Sequence, residues 1–150
     1  EHAETWDFIV VDFPDPSNFA LGKLYTAAFY RLLEKRLGAT GLLVVQSTSP
    51  LYARLSFWCV AQTLESVGLR VSPYHALVPS FGEWGFLLAG RGNYVPPAAY
   101  PIPTRFLTPE TTAALFQFPA DMARVPVEVN QLNNQVLVRY FEAEWRKVQR

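Results

Sequence analysis

Two carboxylates three residues apart, Asp12 and Asp15, close the stretch DFIVVDFPDPSN, and Pro14 and Pro16 flank the second of them. Asp beside Pro commonly initiates turns and caps backbone N–H groups, so ordinary loop chemistry is the plain reading of this spacing. The position argues for more. Phe8 to Val11 form a continuous apolar run that ends on Asp12, and open α/β sheets keep their ligands beyond the carboxyl ends of such strands. Two stiffly held acids at that place suit a cationic amine, one binding it while the other accepts a proton. Mutual repulsion and partial burial would raise the pKa of at least one of them, and an incoming ammonium would offset the repulsion.

The elements that must hold these acids read as follows. Residues 8–13 are apolar without alternation, the pattern of a strand buried on both faces, and the two prolines end it. Leu24, Ala28, Phe29, Leu32, Leu33 and Leu37 recur at helical spacing, which predicts a helix over 23–37 with Gly38 as its C-terminal cap. GLLVVQS (41–47) is a second buried strand. Ser49-Pro50 has the form of an N-cap and first helical residue, opening a helix from 50 to 67 that Gly68 ends. The segments 69–79 and 84–90 are strands separated by SFGE, a gap short enough for an antiparallel hairpin and too short for a parallel crossover. Parallel strands finishing in an antiparallel hairpin predict α/β architecture of a particular kind: the C-terminal half of a class I, S-adenosylmethionine-type Rossmann-like fold.

Beyond residue 90, Pro96, Pro97, Pro101 and Pro103 mark an irregular connector, Thr108-Pro109 opens a short helix to 116, and residues 129–148 carry Leu132, Val136, Tyr140, Phe141 and Trp145 in helical register. The chain therefore divides into residues 1–90, the Rossmann-like part, and 91–150, a proline-rich connector with a helical accessory tail.

Bulk composition excludes several classes. The chain has 150 residues, 50% of them apolar, enough for one core. Thirteen basic and thirteen acidic side chains cancel, so no basic field points to nucleic acid or an anionic membrane surface. The apolar runs are too short for a bilayer span, and EHAETWD has neither the basic start nor the apolar stretch of a signal peptide. Cys59 is the single cysteine, which rules out an internal disulfide or a cysteine-rich zinc site; no metal site is expected. The eight glycines are isolated, and none forms the glycine-rich turn that nucleotide-type cofactors need after a first strand. That absence, with the opening on a buried strand, predicts a C-terminal half whose cofactor loop lies in a missing front half.

Read together, VVDFPDPSN, LYTAAFYRLLEKRLGATGLLVVQSTSP and VPSFGEWGF resemble, in order, the Asp-x-x-Asp-Pro motif, the following helix with its Gln-Ser strand end, and the hairpin of the spermidine synthase (polyamine aminopropyltransferase) family. The tail from Arg105 to Trp145 is similar to the ending of the bacterial branch whose longer members carry N-terminal transmembrane helices. The resemblance implies transfer of an aminopropyl group from decarboxylated S-adenosylmethionine, as co-substrate of the parent and not a covalently held cofactor, to a polyamine substrate such as putrescine. It implies Asp12 as the catalytic carboxylate that deprotonates the amine as its base, with Asp15 and Gln46 in substrate binding. Phe81 stands where the family usually has a tyrosine, Trp84 is placed to fill part of the pocket, Thr48 replaces a common acid, and the hairpin turn is about two residues shorter. These departures bear on which amine is accepted. Cofactor-binding residues are not identifiable in this chain, which is expected to be inactive alone. The implied location is cytoplasmic, including as the soluble domain of a membrane-anchored parent.

Two rival functions stay open. One is an amine-directed S-adenosylmethionine methyltransferase, although Asp15 stands where such enzymes place an aromatic that stacks on a flat target. The other is a non-catalytic binding or assembly module. Without front strands, residues 8–13 become an apolar sheet edge, which predicts a homo-oligomer formed through it. His75 reads as a core or edge histidine, His2 as frayed, Cys59 and Trp58 as packing, and Glu83 as a solvated turn residue. Glu128, Asn130 and Asn133 are candidates for capping the last helix.

Overall fold

The computed structural model describes residues 4–148; His2 lies outside them. Ten elements follow in chain order: β1 (Trp6–Val11), α1 (Phe19–Gly22), a 3-10 turn (Lys23–Tyr25), α2 (Ala27–Arg36), β2 (Leu37–Gln46), α3 (Arg54–Glu65), β3 (Arg70–Val78), β4 (Gly82–Gly90), α4 (Pro109–Leu115) and α5 (Val136–Val148). The strands form one sheet in the order β1-β2-β4-β3. β1 and β2 are parallel, and β4 is antiparallel to both its neighbours. The parallel pair and the closing hairpin are therefore as the sequence predicts. After α3 the chain enters β3 two positions from β2, and β4 returns between them.

Several boundaries differ, each for a local reason. The first helix is broken: Asn18 caps α1, and Thr26, extended at φ −85° and ψ 156°, starts α2 by accepting from the Phe29 N–H. Gly38 is no cap, because Leu37 is already extended and begins β2. Ser49 does not cap α3 either. Its hydroxyl accepts from the N–H groups of Leu51 and Tyr52 in a turn preceding the helix, and Ala53, which has no side-chain acceptor, stands at the helix start. α3 stops at Glu65 with Ser66 as its C-cap, earlier than expected, and Gly68, at φ +91°, lies in the turn that follows, a conformation glycine adopts at no steric cost. The tail is helical only from Val136, because Gln135, at φ +42°, interrupts the run.

The core lies on one side of the sheet, where Val11, Leu43, Val45 and Leu87 meet Phe57, Val60, Ala61 and Leu64 of α3 and Val136 and Leu137 of α5. The other side of the sheet is covered by the connector and α4, with Tyr74 stacked on Phe86 at 5.1 Å and Phe116 against Tyr74 at 5.6 Å. Thr108 and Thr111 form a reciprocal cap for α4.

β1 is an edge strand, and its outer residues Trp6, Phe8 and Val10 are 55%, 56% and 62% exposed. The expectation of burial on both faces fails for this chain, while the expectation of an apolar edge is met. Among the described residues no helix is long and apolar enough to cross a membrane.

Candidate functional site

The parallel pairing of β1 with β2 runs through Val11 opposite Val45. Asp12 and Gln46 are the residues that follow that pair, at the carboxyl ends of the two neighbouring strands. Asp12 is exposed. The chain then turns inward through Phe13 and Pro14, and a buried phenol holds that turn: the Tyr25 hydroxyl lies 3.1 Å from the Phe13 carbonyl oxygen and 3.0 Å from that of Pro14, donating to the pair. The Phe13 ring packs edge-on against Tyr25 at 6.2 Å. Burial pushes the Tyr25 pKa well up, and the charges of Asp15 and then Asp12 add to the shift. That phenol therefore stays protonated as a donor, in electrostatic reach of both acids.

Asp15 lies deeper than Asp12, and desolvation raises its pKa above the ordinary carboxylate value. With Phe13 and Pro14 it lines a cavity of about 390 Å³. Gln46 from the end of β2, Ser80 and Phe81 from the hairpin turn, Trp84 from β4 and Trp145 from α5 complete the lining. Phe81 is exposed at the turn, its ring 5.2 Å from that of Trp84, which is buried. The turn itself is Pro79-Ser80-Phe81, closed by Gly82 at φ +77° opposite Val78.

Four polar groups around this region are buried without a partner: the indole N–H groups of Trp84 and Trp145, and the hydroxyls of Ser47 and Thr48, which follow Gln46. The backbone there is tightly fitted. Ser47 N–H donates to the Gly85 carbonyl at 3.0 Å, and a Cβ on Gly85 would come within 2.4 Å of the Phe57 ring and 2.8 Å of the Thr48 carbonyl oxygen.

The arrangement brings together Asp15, Gln46, Phe81 and Trp84, all named from the sequence; Asp12 adjoins them at the strand end without lining the cavity. Sequence reasoning missed Tyr25, Ser80 and Trp145. The helical register of Trp145 was legible, but the packing of α5 beside the hairpin was not. A second cavity, about 400 Å³, lies beside the start of α2 between Ala27, Arg31 and Asn133 and contains none of these residues.

Other candidates resolve into structure. His75 bridges Glu83 (Nδ1 to Oε1, 2.5 Å) and the Gln117 carbonyl (Nε2 to O, 2.6 Å), with Phe118 edge-on at 4.7 Å. Glu83 is thus a paired residue and not simply solvated. Cys59 is buried, and burial pushes its thiol up to about 12, so it is no nucleophile at neutral pH. Trp58 donates its indole N–H to the Met122 carbonyl at 3.0 Å. Asn130 is buried and ties three segments: its side chain donates to the carbonyls of Gly22 and Tyr25 and accepts from the Leu137 N–H. Asn134, which the sequence reading passed over, accepts from Val136 N–H at the start of α5. Asn133 and Glu128 are exposed.

The half-buried carboxyl of Asp15 makes stability depend on pH. A raised native pKa means that the folded state holds the proton more tightly than the unfolded chain. Its contribution to stability is therefore full at acid pH and is lost as pH rises through the raised value, leaving a net cost at neutrality. Asp15→Asn removes that cost. We expect a higher melting temperature than wild type at pH 7, and a difference that shrinks towards pH 4. A melting difference independent of pH would remove desolvation as the cause.

Residues 1–98 match the spermine/spermidine synthase domain family. Over 150 residues the chain is 57% identical to polyamine aminopropyltransferase 2 of Ralstonia nicotianae, covering 99% of this chain and 29% of that protein. It is 49% identical over 148 residues to the polyamine aminopropyltransferase of Leptospira interrogans, of which it covers 30%. The chain thus spans under a third of the length of these relatives. Among solved structures, spermidine synthase from Thermotoga maritima superposes with a TM-score of 0.62 at 21% identity, over 78% of this chain and 42% of that one. A spermidine synthase in complex with the transition state analogue AdoDATO gives 0.61 at 19%, over 77% and 41%. The sheet is accordingly that of a Rossmann-like, methyltransferase-type fold.

Proposed function

Since this chain belongs to the spermine/spermidine synthase domain family, we propose that it forms the amine-holding part of a longer polyamine aminopropyltransferase. The observation that carries this reading is the convergence of Asp15, Gln46, and Phe81 with Trp84, from three separate places in the chain, on one cavity beside the carboxyl end of β1. A cavity lined by an acid, an amide and aromatic rings suits a flexible aliphatic cation, whose methylenes pack on rings while its charge meets the carboxylate.

In the proposed reaction a neutral amine nitrogen attacks the methylene carbon bound to the sulfonium of decarboxylated S-adenosylmethionine. The N–C bond forms, the C–S bond breaks with its electron pair going to sulfur, and the nitrogen's proton passes to Asp12. Asp15 holds the amine and Gln46 offers a hydrogen bond. The adenosyl end of the co-substrate is bound outside these 150 residues, so the chain alone is inactive. Residues 1–90 supply most of the acceptor site, and the accessory tail, residues 91–150, adds Trp145 to it. The cell compartment is the cytoplasm, with the parent either free or membrane-anchored.

Product analysis on the full-length protein tests the reaction, with putrescine as acceptor and either decarboxylated or ordinary S-adenosylmethionine as donor. Spermidine from the decarboxylated donor supports the proposal. N-methylated amine from the ordinary donor would make the protein a methyltransferase, and amine binding without either product would make it a binding module.

The apolar edge of β1 is, on the same reading, where the isolated 150-residue chain pairs with a second copy. Light scattering at high concentration should show a dimer or larger, and a clean monomer would exclude this surface.

A further inference from the structure

We infer that Trp145, on the C-terminal helix α5, sets which chain length of diamine the acceptor cavity takes. The inference deepens the aminopropyl-transfer reading and rests on it. Trp145 lies beyond the residues matched by the family domain, 1–98, yet it lines the same cavity as Asp15, Gln46 and Trp84.

Two features hold it there. Its neighbour Glu144 is buried and accepts from Leu55 N–H at 2.6 Å, Ser56 N–H at 3.1 Å and the Ser56 hydroxyl at 2.7 Å, which fastens α5 to the start of α3. On the other side the Phe141 ring packs against the indole at 5.7 Å. Glu144 thus fixes the helix that carries Trp145, and Phe141 backs the half-buried indole, which forms part of the cavity wall.

The chemistry of the wall defines the ligand. Asp15 is the acid among the lining residues, and Phe13, Phe81, Trp84 and Trp145 supply its rings. The indole N–H groups of Trp84 and Trp145 are both buried without an acceptor. An ammonium group cannot accept from them, so the charged end of a diamine is directed towards Asp15 and its methylenes towards the rings. The distance from carboxylate to ring wall then limits the number of methylenes. Removing the indole lengthens the cavity and takes away contact area, which penalises the best-fitting diamine and favours a longer one.

The test uses the full-length protein with Trp145→Ala and Trp145→Phe. Steady-state rates with decarboxylated S-adenosylmethionine are compared for 1,3-diaminopropane, putrescine and cadaverine. Trp145→Ala is expected to lower kcat/KM for the preferred diamine about tenfold, mainly through KM, and to move the preference at least one methylene longer, with the donor KM unchanged. Trp145→Phe keeps a ring and should retain the wild-type order. An unaltered length profile in a folded Trp145→Ala protein would overturn the inference. Diamine titration followed by tryptophan fluorescence gives a readout that needs no turnover. A response diminished in Trp145→Phe supports the indole as part of the site, and an equal response in wild type and variant overturns it. Absence of turnover in the wild-type protein would count against the reaction alone, leaving the fluorescence comparison to decide the role of Trp145.

Discussion

Asp12→Asn in the full-length protein should lower kcat by about 10²–10⁴ while the KM values of amine and sulfonium donor stay within a few-fold of wild type. A nucleophilic amine sets the requirement. Its nitrogen must lose a proton as the N–C bond forms, and a positioned carboxylate at the end of a strand can take it without displacing the substrate. Asp12 and Asp15 differ in surroundings: Asp12 is exposed just beyond the end of β1, whereas Asp15 is half-buried in the cavity and desolvated. The two variants should therefore separate. Asn at 12 keeps the shape and removes the proton acceptor, so kcat falls. Asn at 15 removes the countercharge in the cavity, so the amine KM rises. Retention of kcat within about fivefold in Asp12→Asn would reassign proton acceptance.

The roles given to the two acids come from the family resemblance, but their placement could be drawn from the sequence because its carriers are local. The apolar run before Asp12, the prolines around Asp15 and the Gln-Ser strand end are short patterns, and each sits where its own residues place it. The hairpin was legible for the same reason, since four residues between two strands admit one geometry. What the sequence concealed depends on distant packing. Nothing in the spacing around Tyr25 says that its hydroxyl will meet the carbonyls of Phe13 and Pro14. Thr26 breaks the first helix because Ala27 N–H donates to the Asn130 carbonyl, more than a hundred residues away. The pattern of leucines did predict a helix, but Leu32 is 61% exposed while Ala27 and Tyr30 are buried, because the chain enters α2 through a 3-10 turn that resets its face.

The same distance effect makes Glu144 a strong test of how the tail is joined to the rest. α3 begins at Ala53, which has no side chain able to satisfy the first free N–H groups of the helix. Glu144, from a helix almost ninety residues later, supplies that cap with three hydrogen bonds, while itself only 7% exposed. A carboxylate also complements the positive end of the α3 dipole. Glu144→Ala leaves two backbone N–H groups and the Ser56 hydroxyl without their acceptor and opens a void beside them. We expect a loss of about 3 kcal/mol in urea unfolding, the sum of orphaned buried donors less what water can recover. Glu144→Gln keeps one carbonyl acceptor but turns an NH₂ towards another donor, and should cost about half as much. A loss below about 1 kcal/mol for the alanine variant would mean that α3 finds another cap. Gln46 is joined to α3 by residues 47–53, so loosening this cap should also loosen the strand end that faces the amine. The fastening of α5 to α3 is therefore a condition for the cavity and not an ornament of the tail.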